Sequence, residues 1–144
     1  RVLSSGSVVG DIKGHATITD GDTIRVGGER VRFHGIDAPE INQPCYKDGR
    51  QYMCGVEARS YLNHIINNQV VTCQTESTDQ YGRKVAKCFN YKNEDVESLM
   101  VSAGMAVAYY YYSYDYALEE ISARFNSRGI WAGEFENPYD FRNK

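Results

Sequence analysis

Between Asp20 and Glu40 the chain sets an acid-glycine-acid turn, Asp20-Gly21-Asp22, then Arg32, then a second acidic turn, Asp37-Ala38-Pro39-Glu40. A further arginine, Arg83, stands in Tyr81-Gly82-Arg83. The carboxylates of Asp22, Asp37 and Glu40 with the guanidiniums of Arg32 and Arg83 have the chemistry to hold a divalent cation against a phosphodiester and attack it with water. A hard cation takes oxygen ligands, and guanidinium forks bind phosphate oxygens bidentately. Alone, each acidic turn is equally an ordinary turn, because Asp and Gly favour turns for backbone reasons and Pro39 fixes its own torsion. Either arginine alone could be a strand-face ion pair worth little. Their joint occurrence points to a site.

These side chains need a scaffold. Val8 to Ile12, His15 to Asp20, Thr23 to Val26 and Glu29 to Ile36 are β-branched segments bounded by glycines, and read as a strand meander with a hairpin turn at Gly27-Gly28. Alternation along the last segment turns Arg32 away from the face that Phe33 buries. Ala58, Tyr61, Leu62, Ile65 and Ile66 repeat at helical spacing and predict a helix from about Val56 to Asn67. Two more strands, Gln69 to Glu76 and Arg83 to Tyr91, flank a turn. A second helix is expected from an Asn93 cap to Gly104, buried through Val96, Leu99, Met100 and Ala103. A third is expected from Tyr114 to Arg128, capped by Ser113 and closed by Gly129, with Ala117, Leu118, Ile121 and Phe125 as its apolar face. The pattern is α+β. No repeat or linker divides the chain, so one domain is expected over residues 1–144, with a core at about 8–131 and a tail at 132–144 that Trp131 packs.

Net charge is 16 − 19 = −3, awkward for a nucleic-acid binder, whose non-specific affinity comes from Lys and Arg on phosphates. Three of those acids belong to the candidate site, so attraction of an anion must come from local placement of the bases. Arg25, Arg30 and Lys84 are read as surface ion pairs. His15, His34 and His64 lack partners at ligand spacing, and His34 is expected at the rim. No apolar run reaches the roughly 18 residues that span a bilayer, so no membrane insertion is expected. Arg1 heads the chain, so any secretion leader is expected to have been removed.

Cys45, Cys54, Cys73 and Cys88 permit three pairings. In one symmetric strand register Cys73 lies opposite Cys88, near disulfide reach, which leaves Cys45 with Cys54. Zinc is the rival, but no Cys-x-x-Cys is present. Two disulfides imply a secreted or periplasmic protein.

The order and spacing of Asp22, Arg32, Asp37-Ala38-Pro39-Glu40 and Tyr81-Gly82-Arg83 resemble the staphylococcal nuclease family, from about Val8 to Trp131. The resemblance implies an α+β fold in which a closed five-stranded OB-fold barrel carries three helices. It implies Ca²⁺ held by Asp22, Asp37 and the Ala38 carbonyl, where the best-known members carry Thr, with Asp20 behind them. Arg32 and Arg83 would stabilise the transition state, and Glu40 would position or deprotonate the attacking water. Tyr81, Tyr110 and Tyr112 would contact substrate, the last two by their count from Gly104. Tyr109, Tyr111, Tyr114 and Tyr116 are read as core or rim. The implied activity is calcium-dependent endonucleolytic cleavage of DNA and RNA with little sequence specificity, leaving 3′-phosphate ends, by a monomer. The segment Ile41 to Met53 departs from the lysine-rich loop of the best-known member. The alternative is a non-catalytic nucleic-acid- or protein-binding module on the same fold, and Arg32, Glu40 and Arg83, which such modules typically lack in part, all stand here.

Overall fold

A computed structural model describes residues 8–144. Arg1, on which the leader expectation rests, lies outside the described residues with the rest of 1–7. The chain runs β1 (Ile12–Asp20), β2 (Thr23–Val26), β3 (Glu29–Phe33), β4 (Ile36–Asp37), β5 (Pro44–Lys47), β6 (Arg50–Met53), α1 (Cys54–Ile66), β7 (Val70–Thr78) and β8 (Lys84–Phe89). Then come α2 (Val96–Ser102), β9 (Val107–Ala108), α3 (Ala117–Phe125), a 3-10 turn at Gly129–Ala132 and α4 (Pro138–Arg142).

Five strands close a barrel in the order β1-β2-β3-β8-β7. The β2-β3 hairpin turns at Gly27 and Gly28, whose φ angles of 56° and 83° suit residues without a Cβ. Parallel pairing of β3 with β8 closes the ring, removing the free strand edges that a flat sheet would expose. Ile24, Val26, Val31, Phe33, Val71 and Ala86 are wholly buried, together with Ala58 and Leu62 of α1 and Met100 of α2. Full burial of such a side chain is worth about 1.5–3 kcal/mol, so the barrel and the helices on it share one core.

The register of β7 against β8 sets Cys73 opposite Cys88, and they are bonded across Cα atoms 4.0 Å apart. Cys45 and Cys54 form the second disulfide, tying β5 to the first residue of α1. Both expected pairings stand, and the described residues hold no free cysteine.

Several local expectations give way. Of the first predicted strand, Val8 to Ile12, only Ile12 is in a strand: β1 begins there and runs on through Gly14 to Asp20. Asp95, not Asn93, caps α2, its carboxylate accepting from the amides of Glu97 and Ser98; Asn93 stands at φ 62° before it. The expected third helix is shorter, and Ser113 accepts from the Asp115 amide outside it. Its supposed apolar face is turned outward: Leu118, Ile121 and Phe125 are 78%, 59% and 86% exposed, while Glu120 and Ala123 are buried. Glu120 goes inside because its carboxylate accepts from the Ala108 amide and the Tyr110 hydroxyl, at 2.8 and 3.1 Å. The β5-β6 hairpin, β9 and α4 were not foreseen, and the helices number four among the described residues.

His34 is no rim residue. It is 2% exposed, with Nδ1 2.8 Å from Glu97 and Nε2 3.0 Å from Asp115. Glu76 stands 3.9 Å from Nε2, and the ring meets Tyr116 edge-on. Carboxylates at both nitrogens require both to donate, which makes the ring an imidazolium. Burial works against that charge, but Glu97 and Asp115 prevail and raise the pKa to about 9. Glu97 also accepts from the Gly35 amide at 2.6 Å, so this charge network pins the tyrosine-rich segment before α3 to the end of β3.

A raised histidine pKa contributes stability that is whole below the unfolded value near 6.5 and lost as pH climbs through about 9. Urea denaturation of the wild type should weaken over that window by an amount on the order of 3 kcal/mol. His34→Gln should remove the slope and cost about 3–5 kcal/mol at pH 6, by leaving Glu97 buried without its cation. A pH-independent midpoint from 6 to 10 in the wild type contradicts the assignment.

Candidate active site

The two acidic turns meet at one end of the barrel. Asp22 leaves the β1-β2 turn and Asp37 lies in β4; both are buried, at 6% and 0% exposure. Asp22 holds the turns together, Oδ2 accepting from the Ala38 amide at 2.8 Å and Oδ1 from the Thr23 hydroxyl at 3.0 Å. Gly21 makes the approach possible: a Cβ there would lie 2.6 Å from that of Ala38 and 2.9 Å from that of Ala58. Gly55, in the first turn of α1, lies so close to the Glu40 carbonyl that any side chain would collide with it. Helix α1 thus presses on the backbone that carries Glu40.

Arg32 projects from β3 between the acids. Its guanidinium is 3.7 Å from Asp22 Oδ2 and 3.5 Å from Asp37 Oδ1, and it donates to the carbonyls of Phe33 and Ile36 at 3.0 and 2.8 Å. Burial disfavours charge on Asp22, yet Arg32, together with hydrogen bonds from its neighbours, holds it below the usual carboxylate range. Burial drives Asp20 up to about 8, helped by the charges on Asp22 and Glu40. Asp37 is likewise raised by burial and by Asp22, against the pull of Arg32 and Arg142. Carboxylates this crowded favour an added cation.

Arg83 is held by the turn before β8, donating from Nε to Asp79 at 2.7 Å while Asp79 also accepts from the amides of Tyr81 and Arg83. Burial opposes the Asp79 charge, but these donors hold its pKa low. Arg32, Arg83 and Glu40 open on one cleft of about 1090 Å³, lined also by Asp20, Asp22, Asp79, Arg30 and Arg142. Four carboxyl groups face four guanidiniums there, so the cleft is balanced although the chain is acidic. Arg32 lies under the Tyr109 ring at 5.4 Å and Arg83 against that of Tyr81 at 5.5 Å. A second cavity of about 460 Å³, near Cys54, gathers Lys47, Arg50 and Glu57 away from this cluster.

The three predicted tyrosines do not all reach the cleft. Tyr81 and Tyr112 line the cleft, as do Tyr109, Tyr111 and Tyr139. Tyr110 does not: its hydroxyl is tied to Glu120 and its ring packs on Tyr114. The two tyrosines diverge because this segment is a turn, with the Tyr112 and Ser113 amides both donating to the Tyr109 carbonyl. Reading the sequence also missed Arg30, whose guanidinium donates to the Tyr81 carbonyl, and Arg142. The latter comes from α4 and donates to Asp37 and Glu40 from 102 or more residues away.

Among the described residues no three His, Cys, Asp or Glu side chains form a ready metal-ligand cluster. Two carboxylates and a backbone carbonyl are nonetheless an all-oxygen set of the kind a hard cation accepts with waters, and burial disfavours on Asp20 and Asp37 a negative charge that a bound cation would stabilise. The residues fit such an ion.

Residues 30–133 match the model of the family described as staphylococcal nuclease homologue. A succinoglycan biosynthesis protein, ExoI, of Rhizobium meliloti is 36% identical over 134 residues, 88% of this chain and 68% of its own length. A probable staphylococcal-like nuclease, CAN2, of Oryza sativa is 33% identical over 118 residues, 78% of this chain and 29% of its own. An uncharacterized endonuclease of Haemophilus influenzae is 30% identical over 122 residues, 80% of this chain and 63% of its own. The chain thus spans from under a third to about two thirds of these relatives. With that match running from β3 through Asp37-Ala38-Pro39-Glu40 to the 3-10 turn, well over half of the chain, this chain belongs to the staphylococcal nuclease homologue family.

Proposed function

We propose that the chain is a calcium-dependent endonuclease that hydrolyses phosphodiester bonds in DNA and RNA and leaves 3′-phosphate ends. The observation that carries the reading is the convergence of Arg32, Arg83 and Glu40 on one cleft with Asp22 and Asp37 beneath it. Relatives named as nuclease and endonuclease support it. The two disulfides support a secreted or periplasmic setting, and no described helix is long and apolar enough to cross a membrane. The chain acts as a single domain and a monomer.

Asp22, Asp37 and the Ala38 carbonyl would hold the ion. When bound, Ca²⁺ supplies Lewis acidity, placing positive charge against a phosphate oxygen and making water easier to deprotonate. Arg32 and Arg83 approach the phosphate from the cleft and stabilise the charge its oxygens gain as phosphorus becomes five-coordinate. Glu40 takes a proton from the attacking water. The new oxygen-phosphorus bond forms as the bond to the 5′-oxygen breaks, and that oxygen takes a proton from solvent. One strand then ends in a 3′-phosphate and the other in a 5′-hydroxyl. Tyr109 and Tyr81 keep the guanidiniums aimed, and the exposed Tyr111 and Tyr112 offer faces on which bases stack without sequence preference.

Single-turnover cleavage of a short DNA tests these roles. Arg32→Ala, Arg83→Ala and Glu40→Gln should each slow the step by roughly 10²–10³ or more, with mass spectrometry finding 3′-phosphate products. A near-normal rate in all three moves the chemistry elsewhere.

Stacking should appear in KM. Tyr111→Leu and Tyr112→Leu are expected to raise KM for single-stranded substrate by at least about fivefold with kcat little changed, since stacking holds ground and transition states alike. Tyr110→Leu should leave KM alone. A KM effect confined to Tyr110 reverses the assignment.

A further inference from the structure

The guanidinium of Arg142 engages both oxygens of Asp37, Nη1 to Oδ1 at 3.0 Å and Nη2 to Oδ2 at 3.2 Å. The same Nη1 donates to Glu40 Oε2 at 2.9 Å. One side chain therefore occupies the carboxylate assigned above to the metal and the carboxylate assigned to the attacking water. A guanidinium and a divalent ion compete for those oxygens, because both are held by the same carboxylate charge and the two cations repel each other at that distance.

The approach of Arg142 is built into the fold. Glu134 pairs with Tyr46 of β5 through two backbone hydrogen bonds of 2.8 Å, which fixes the path of the tail. Gln43, wholly buried, donates to the Glu136 carbonyl at 2.6 Å and accepts from the Glu40 amide at 3.1 Å. That amide therefore joins the tail and the Glu40 turn through one side chain. Asn137 then caps α4, accepting from the Tyr139 amide, with Pro138 buried behind it. The helix is only Pro138–Arg142, and its end is held to the site by the Arg142 contacts, so it can be released while the Gln43 and Glu134 anchors stay.

We propose that Arg142 is a functional residue of this site: a tethered cation that competes with the divalent metal for Asp37 and withholds Glu40 until the metal displaces it. The C-terminal helix thereby sets the metal concentration at which the site assembles. The inference rests on the metal-dependent reading above.

Calorimetric titration of the whole chain with Ca²⁺ tests this without reference to activity. Arg142→Gln should bind Ca²⁺ about tenfold or more tightly than the wild type, and Arg142→Lys, which keeps the charge and loses the fork, should fall between. In the wild type, saturating Ca²⁺ should speed hydrogen exchange at the Phe141 and Asn143 amides, which close α4 on Asn137 and Tyr139. That measurement needs no variant. Equal or weaker Ca²⁺ binding by Arg142→Gln, or unchanged α4 exchange at saturation, overturns the proposal while the metal reading stands. Absence of Ca²⁺ binding in every form overturns both.

Discussion

Arg32 is 5% exposed, and its charge is compensated by two carboxylates that are themselves buried, Asp22 and Asp37. Removing such ions from water costs several kcal/mol each, and only close partners and further hydrogen bonds recover it. The chain meets that requirement by bringing two separate turns to one strand. Asp22 reaches across to the Ala38 amide, and the absence of a side chain at Gly21 lets the turns touch. Closure of the barrel through β3 and β8 then sets Arg83 on the same cleft as Arg32. The geometry is maintained by the fold rather than by a ligand, which is what a preorganised electrostatic site needs.

Much of this was legible locally. The Asp20-Gly21-Asp22 turn, the β2-β3 hairpin, α1 and the Cys73-Cys88 register follow from spacing alone, because each depends on residues a few positions apart or directly opposed in a hairpin. What escaped was what hydropathy prices wrongly or what distance in sequence conceals. Glu120 is inside and Phe125 outside because an amide and a hydroxyl await the carboxylate. His34 looked like a rim residue because Glu97 and Asp115 lie more than 60 residues away. Tyr110 and Tyr112 part company because their segment is a turn, which a count from Gly104 does not reveal. Arg142 had no local signal of any kind.

Charge placement resolves the apparent conflict between an acidic chain and an anionic substrate. The net charge of −3 is distributed so that four arginines share one cleft with the acids of the site. Three of those arginines, Arg32, Arg83 and Arg142, lie against tyrosine rings, an arrangement that restricts the guanidinium and so lowers the entropy lost when it binds. On the proposed function, the cleft would pair guanidiniums for phosphate with aromatic faces suited to unpaired bases.

The central claim is that this buried charge cluster is a calcium-dependent phosphodiesterase. Its most direct test follows one single-stranded DNA incubated with the purified chain in Ca²⁺, in excess chelator, and with Ca²⁺ restored, alongside Asp37→Asn. Cleavage that stops with the chelator, returns with the ion and is absent in Asp37→Asn at the same Ca²⁺ concentration is the predicted result. Cleavage at an undiminished rate in excess chelator, or in Asp37→Asn, would contradict it.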